Sequence, residues 1–218
     1  MKIGFYFLFI IFFSVFNSQL AVAQEEEKHA GSSQISFSPL RLIDPVNPGL
    51  ELGLERTYGR RLSTQLSVGY MKDFFNLYEY FNGWRVAVEE RIYLNPAREG
   101  KKYLAIDVVH MNVDYGDDSY FQTDTTKNAS YYTDTFDVSR KSWSFNIRAG
   151  IKYPFKRFFI DLSAGLGVKY RMTARSGFNE AGGIEREPRH PNARFEANKE
   201  GNFLTLSVPA NVRVGYRF

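Results

Sequence analysis

The sequence predicts an all-β fold, a closed antiparallel up-and-down transmembrane β-barrel of about eight strands. Three observations carry that prediction. Apolar and polar residues alternate with a period of two along most of the chain. The apolar faces run for about 11 to 15 residues, where an ordinary strand has ~5 to 6 and a tilted transmembrane strand needs ~9 to 11. The connections alternate between compact and long.

Taken in order, the first strand, Gln34 to Leu42, is short and interrupted by Pro39, which a strand end or a bulge tolerates. Leu50, Leu52 and Leu54 oppose Glu51, Gly53 and Glu55 in the second; Leu62, Leu66, Val68 and Tyr70 oppose Ser63, Gln65, Ser67 and Gly69 in the third. In the fourth, Trp84, Val86, Val88, Ile92 and Leu94 oppose Arg85, Ala87, Glu89 and Arg91, but Glu90 breaks the apolar face. A bulge at Glu90, or a position outside the hydrocarbon band, would remove the conflict. In the fifth, Lys102 to Gly116, Leu104, Ile106 and Val108 lie on one face and Val109, Met111 and Val113 on the other, so a second bulge is expected near Val108. The last three are regular. Trp143 to Tyr153 alternates with Ser144, Asn146, Arg148, Gly150 and Lys152; Phe158 to Met172 alternates with Asp161, Ser163, Gly165, Gly167, Lys169 and Arg171; Leu204 to Phe218 is apolar at every second position.

The compact turns are Gly59 to Arg61, Asn95 to Lys101 and Pro154 to Lys156, whereas Asp73 to Asn82, Asp117 to Arg140 and Ala174 to Asn202 are long and polar. Outer-membrane barrels keep short turns on the periplasmic rim and long loops outside. An even strand count then places both termini in the periplasm.

The N-terminus reads as an export signal. Lys2 is the sole charge before Glu25, Ile3 to Phe16 is almost wholly apolar, and Ala21-Val22-Ala23 supplies a small-x-small cleavage pattern. The expected division is residues 1–23 as signal peptide, 24–33 as flexible periplasmic leader and 34–218 as barrel. Formal net charge is +4, one less without Lys2, and no basic cluster with interleaved aromatics points to nucleic acid. The absence of cysteine excludes disulfides, thiolate metal sites and a lipid-modified N-terminal cysteine.

A β-sandwich also has one apolar face, so the charges must decide. Glu51, Glu55, Arg85, Glu89, Arg91, Arg148, Lys152, Asp161, Lys169, Arg171 and Arg213 fall at mid-strand depth on the polar face. Inside a small barrel they can pair into a plug of both signs. Trp84, Trp143, Tyr153, Phe158, Tyr170, Tyr216 and Phe218 sit near the ends of apolar runs, as interfacial girdles do.

The C-terminal run Val212, Val214, Tyr216, Phe218 resembles the terminal signature of outer-membrane β-barrel proteins. The resemblance implies recognition of these residues by the barrel-assembly machinery. The stretch Ser36 to Tyr70, with Ser38-Pro39-Leu40, Asp44-Pro45, Leu50 to Arg56 and Leu66-Ser67-Val68-Gly69-Tyr70, is similar to small uncharacterised outer-membrane barrels of Bacteroidota, and the layout resembles the eight-stranded OmpA/OmpX type. In that type side chains fill the lumen.

Candidates for chemistry are few. His29, His110 and His190 show no metal-ligand spacing, so neither a metal nor a cofactor is expected. His110 is the one catalytic candidate, because a strand histidine with a nearby serine could act on lipid, yet its neighbours are Met111 and Asn112 and a polar interfacial or lumenal role is favoured. The Asn128-Ala129-Ser130 sequon belongs to another secretory system. Asp117 to Arg140 reads as an exposed recognition surface or an extended solvated hairpin, and Arg186 to Arg194 either meets outer-membrane lipids and anionic lipopolysaccharide or is a solvated loop. The resulting expectation is a non-enzymatic outer-membrane barrel, structural or interacting through its loops, or accessory to an envelope complex with a protein partner. A lipid-modifying enzyme using His110 and a narrow solute pore are the alternatives.

Overall fold

A computed structural model describes residues 31–44, 46–58, 61–74, 80–94, 100–122, 131–177, 184–185 and 199–218; of 118–122, 131–134 and 184–185 it describes the backbone alone. The cleavage residues Ala21 and Ala23, the leader up to residue 30, His29, His190, Asn128 and the Arg186 to Arg194 segment lie outside the described residues. Among those described, ten strand segments make a closed antiparallel barrel of eight staves: β1 (Ser33–Phe37), β2 (Gly49–Tyr58), β3 (Leu62–Lys72), β4 (Phe81–Tyr93), β5 (Lys101–Gln122), β6 (Tyr131–Phe155), β7 (Phe158–Ser176), the short β8 (Ile184–Glu185), β9 (Gly201–Ser207) and β10 (Ala210–Arg217). Each stave pairs with the next, and β10 closes the ring by pairing with both β7 and β1. β8 lies off the wall against the far end of β5.

The start of β1 and the end of β10 lie at one rim, called lower here, since Gln34 pairs with Arg217. The lower connection between β6 and β7 is the two-residue turn Lys156–Arg157, one residue beyond the expected position, and Lys156 takes a left-handed φ of 58°. The wall is uneven in height, because β2 has 10 residues and β6 has 25. The β5–β6 pair continues in unbroken register from Asp117↔Phe136 to Gln122↔Tyr131. Most of the long connection from Asp117 to Arg140 is therefore paired strand, the extended hairpin that was one of its two expected readings.

Neither expected bulge is present. β4 pairs with β3 residue for residue from Leu62↔Ile92 to Lys72↔Asn82, through Glu90. Glu90 stays on the outer face, where its Oε2 accepts a 2.6 Å hydrogen bond from Thr64 Oγ1, whose neighbour is Tyr58 Oη at 2.9 Å. A local polar ladder removes the conflict without disturbing the strand. β5 is equally regular through Val108. Val109, Met111 and Val113 point inward on the ordinary phase, and Met71, Phe81, Tyr115, Phe136 and Val138 join the last two in an apolar cluster inside the upper barrel.

The first and last staves also differ from expectation. β1 stops at Phe37, and Pro39–Arg41 form a 3₁₀ turn, for which the fixed φ of proline at the first position is suited. The last stave breaks at Val208-Pro209, where proline has no N–H for the ladder. Apolar alternation continues through the break on Val208 and Ala210, so the pattern conceals it.

Candidate functional site: a two-tiered charged lumen

Alternation places the odd-numbered charges of β2, β4, β5, β7 and β10 and the even-numbered ones of β6 on the inner wall. The lower tier joins four carboxylates to four cations. Arg91 is fully buried and reaches Glu89 at 2.6 Å, Glu55 at 2.8 Å and Asp161 at 3.1 Å. Arg148 contacts Glu89 at 3.2 Å and Asp107 at 3.3 Å, Arg213 contacts Glu89 at 2.8 Å, and Lys152 contacts Glu55 at 2.5 Å. Tyr93 Oη donates to Glu55 at 2.7 Å and Tyr103 Oη to Asp161 at 2.7 Å. Equal numbers of opposite charges and these added donors offset much of the cost of burying the ions, while Nη2 of Arg91, Nε and Nη2 of Arg148 and Nε of Arg213 have no hydrogen-bond partner among the described residues. Side chains cross the whole lumen at this level.

The upper tier is built around Glu51 and the link between β1 and β2. Glu51 accepts from Arg85 and Ser38, and Arg41 Nε lies 3.5 Å from it. Asp44 organises the link: its Oδ1 accepts the backbone N–H groups of Val46 and Asn47, both at 3.0 Å, and its Oδ2 pairs with Arg41 at 3.1 Å. The link then reaches into the lumen, where Arg140 on β6 donates to Val46 O at 3.3 Å and to Asn47 Oδ1 at 2.7 Å. Lys169 and Arg171 lie on the inner phase of β7, the latter with its guanidinium 5.0 Å from the Phe203 ring.

Of the eleven charges singled out in the sequence, nine stand in the ion pairs above; Lys169 and Arg171 are placed in the upper tier without one of those pairs. Asp107, Arg41, Asp44 and Arg140 were missed. Asp107 was visible between Ile106 and Val108, but the supposed phase change hid its face. Arg140 fell in a segment taken for loop.

His110 is on the outside. Its ring stacks on Trp143 at 4.2 Å and meets Trp84 edge-on at 4.9 Å, and Nδ1 lies 3.1 Å from Ser142 O. The Ser142 and Ser144 side chains are buried on the opposite, inner face. Among the described residues no hydroxyl or carboxylate hydrogen-bonds this imidazole. Trp84, Trp143, Tyr70 and Tyr170 face outward around the upper barrel, and Tyr153, Phe155, Phe158, Tyr216 and Phe218 form the lower ring, with Tyr216 packed 5.4 Å from Phe158 and 5.5 Å from Phe218. Val212, Val214, Tyr216 and Phe218 all lie on this outer phase. Among the described residues no group of histidine and carboxylate side chains could hold a metal ion.

No protein-family model matches the chain, and no curated protein does. Among solved structures the chain is similar to the N-terminal β-barrel domain of Pseudomonas aeruginosa OprF, at 14% identity over 86% of this chain and 97% of that one, with a TM-score of 0.39. It is also similar to a major outer membrane protein from Thermus thermophilus, at 12% identity over 87% of this chain and 100% of that one, with a TM-score of 0.40.

Proposed function

We propose that the chain is an integral outer-membrane barrel with both termini periplasmic, a plugged lumen and a non-enzymatic role. It serves as a structural element, or as an accessory to an envelope complex, and presents the tall β5–β6 hairpin at the cell surface. The observation that supports this reading is the inverted distribution of polarity. Arg91, Arg148, Glu89 and Asp161 are inside, while Leu52, Leu54, Val68, Ile92, Ile106, Ile147 and Leu166 are each more than half exposed outside. An apolar belt around a whole barrel far exceeds the few hundred Å² that soluble proteins expose. From Phe158 to Tyr170, between the two aromatic rings, β7 rises about 40 Å along the strand, or about 30 Å at a ~40° tilt. That height suits an apolar band of ~25 Å and its girdles.

The lower tier opposes conduction, because opening it would separate several buried ion pairs at once. In planar bilayers the refolded protein is expected to give no stable open steps, and reproducible single-channel conductance would refute the plugged lumen. The surroundings of His110 support a girdle role. Lipids from cells carrying His110→Ala are expected to match wild type by mass spectrometry; loss of a lipid product would refute the non-enzymatic reading.

A further inference from the structure

One stretch of the wall lacks a neighbour. β9 pairs with β7 from Gly201↔Thr173 to Ser207↔Gly167, and among the described residues no strand pairs with its other edge. From Val214 downward the same stave is closed by β1, but β1 ends at Phe37 and the link after it turns inward to Arg140 rather than climbing the wall. Among the described residues, the seven residues of β9 therefore present a strand edge of about 23 Å with no paired neighbour beside the upper lumen.

The residues behind that edge are short of negative charge. Arg140 is 2% exposed and its guanidinium carbon lies 5.2 Å from the Tyr115 ring, but its hydrogen bonds go to the neutral oxygens of Val46 and Asn47, it makes no ion pair among the described residues, and its Nε, like those of Arg148 and Arg213, has no hydrogen-bond partner there. Thr173, directly opposite Arg140 in register, is 5% exposed with its Oγ1 unpartnered. Lys169, four residues before Thr173 on the same inner face of β7, makes no ion pair among the described residues, and Asp44 of the inward link is already paired with Arg41. A guanidinium withdrawn from water without a counter-ion is strongly unfavourable, whereas anionic oxygens would give charge-assisted hydrogen bonds here. On the outer side, Leu204, Leu206 and Val208 are 74%, 71% and 67% exposed, an apolar surface along the same edge.

We infer that the upper lumen binds the anionic head group of a membrane amphiphile, a carboxylate or phosphate on an alkyl chain. The head lies among Arg140, Lys169 and Thr173, and the chain leaves sideways across the open edge of β9. This rests on the reading that the barrel lies in a membrane.

The chain has no cysteine, so Thr205→Cys, at an exposed inner-phase position of β9 whose hydroxyl lies 3.4 Å from the Lys169 carbonyl oxygen, takes a single bimane label. In neutral maltoside micelles, dodecyl phosphate is expected to shift the emission saturably. Dodecanol should bind at least tenfold more weakly, and Lys169→Gln should weaken dodecyl phosphate at least tenfold. Equal affinity in Lys169→Gln, or for dodecanol, overturns the inference. Inorganic phosphate binding as tightly as dodecyl phosphate would make this a free-anion site and overturn the lateral path. A dimer that shields the label before any amphiphile is added would show a second chain filling the gap, and likewise overturns it. Heat-modifiable migration and insertion into phosphatidylcholine vesicles are measured on the same samples. Failure to insert refutes the membrane reading, while an inserted barrel that ignores dodecyl phosphate refutes this inference alone.

Discussion

Arg91→Met is expected to destabilise the barrel by about 3–5 kcal/mol, the usual cost of removing one partner from a buried ion network. Three carboxylates, those of Glu55, Glu89 and Asp161, converge on this one guanidinium, and all four side chains are 3% exposed or less. The Tyr103 ring lies 4.6 Å from the guanidinium carbon, so the vacancy would also unsettle an aromatic wall. Urea unfolding followed by tryptophan fluorescence measures the loss. Arg61→Met, at an exposed turn position, is the control and should stay within about 0.5 kcal/mol. Equal midpoints for the two variants would show that the lower tier is not a paired network. Adding Glu89→Gln to Arg91→Met removes one surplus carboxylate and should recover part of the loss.

The second large effect is steric. A Cβ added at Gly150 would lie 2.2 Å from Cζ of Tyr103. The ring cannot retreat, because Tyr103 is 1% exposed and its hydroxyl is held by Asp161 at 2.7 Å. Gly150→Val should therefore cost about 3 kcal/mol or more, combining overpacking with a broken hydrogen bond to a buried carboxylate. In a Tyr103→Ala background the ring is gone, and Gly150→Val is expected to cost less than about 1 kcal/mol. Urea midpoints for the four proteins give the coupling; additive effects would mean that glycine and tyrosine do not share this space.

The staves were legible because their outer faces are apolar at nearly every second residue, and strict alternation is the pattern of a wall with one apolar and one polar face. The inner wall was legible where it is charged, as at Glu89 and Arg91. It was misread where it is apolar: Val109, Met111 and Val113 fill the upper lumen, and an apolar inward residue looks like a slip of phase. Glu90 misled in the opposite way, since one sequence cannot show that Thr64 on the neighbouring strand supplies its partner. Past residue 117 the sequence mixes Asp, Ser, Thr and Gln with Tyr120, Phe121, Tyr131 and Tyr132 without a period of two, and alternation no longer distinguishes strand from loop. The inward link was hidden too, because Asp44 reveals its role through contacts with Arg41, Val46 and Asn47 that appear once the chain has folded.

The barrel is turned inside out, with its charges enclosed and its apolar and aromatic side chains outward, as the proposed bilayer position requires. The chain has two tryptophans, Trp84 and Trp143, both on the outer face of the upper ring. The most direct test is their fluorescence after refolding into vesicles of phosphatidylcholine brominated at different depths along the acyl chain. The structure predicts strong quenching of both, greatest with bromines near the head group and weaker towards the bilayer centre. Quenching absent at every depth would contradict the account and place the apolar face against protein instead.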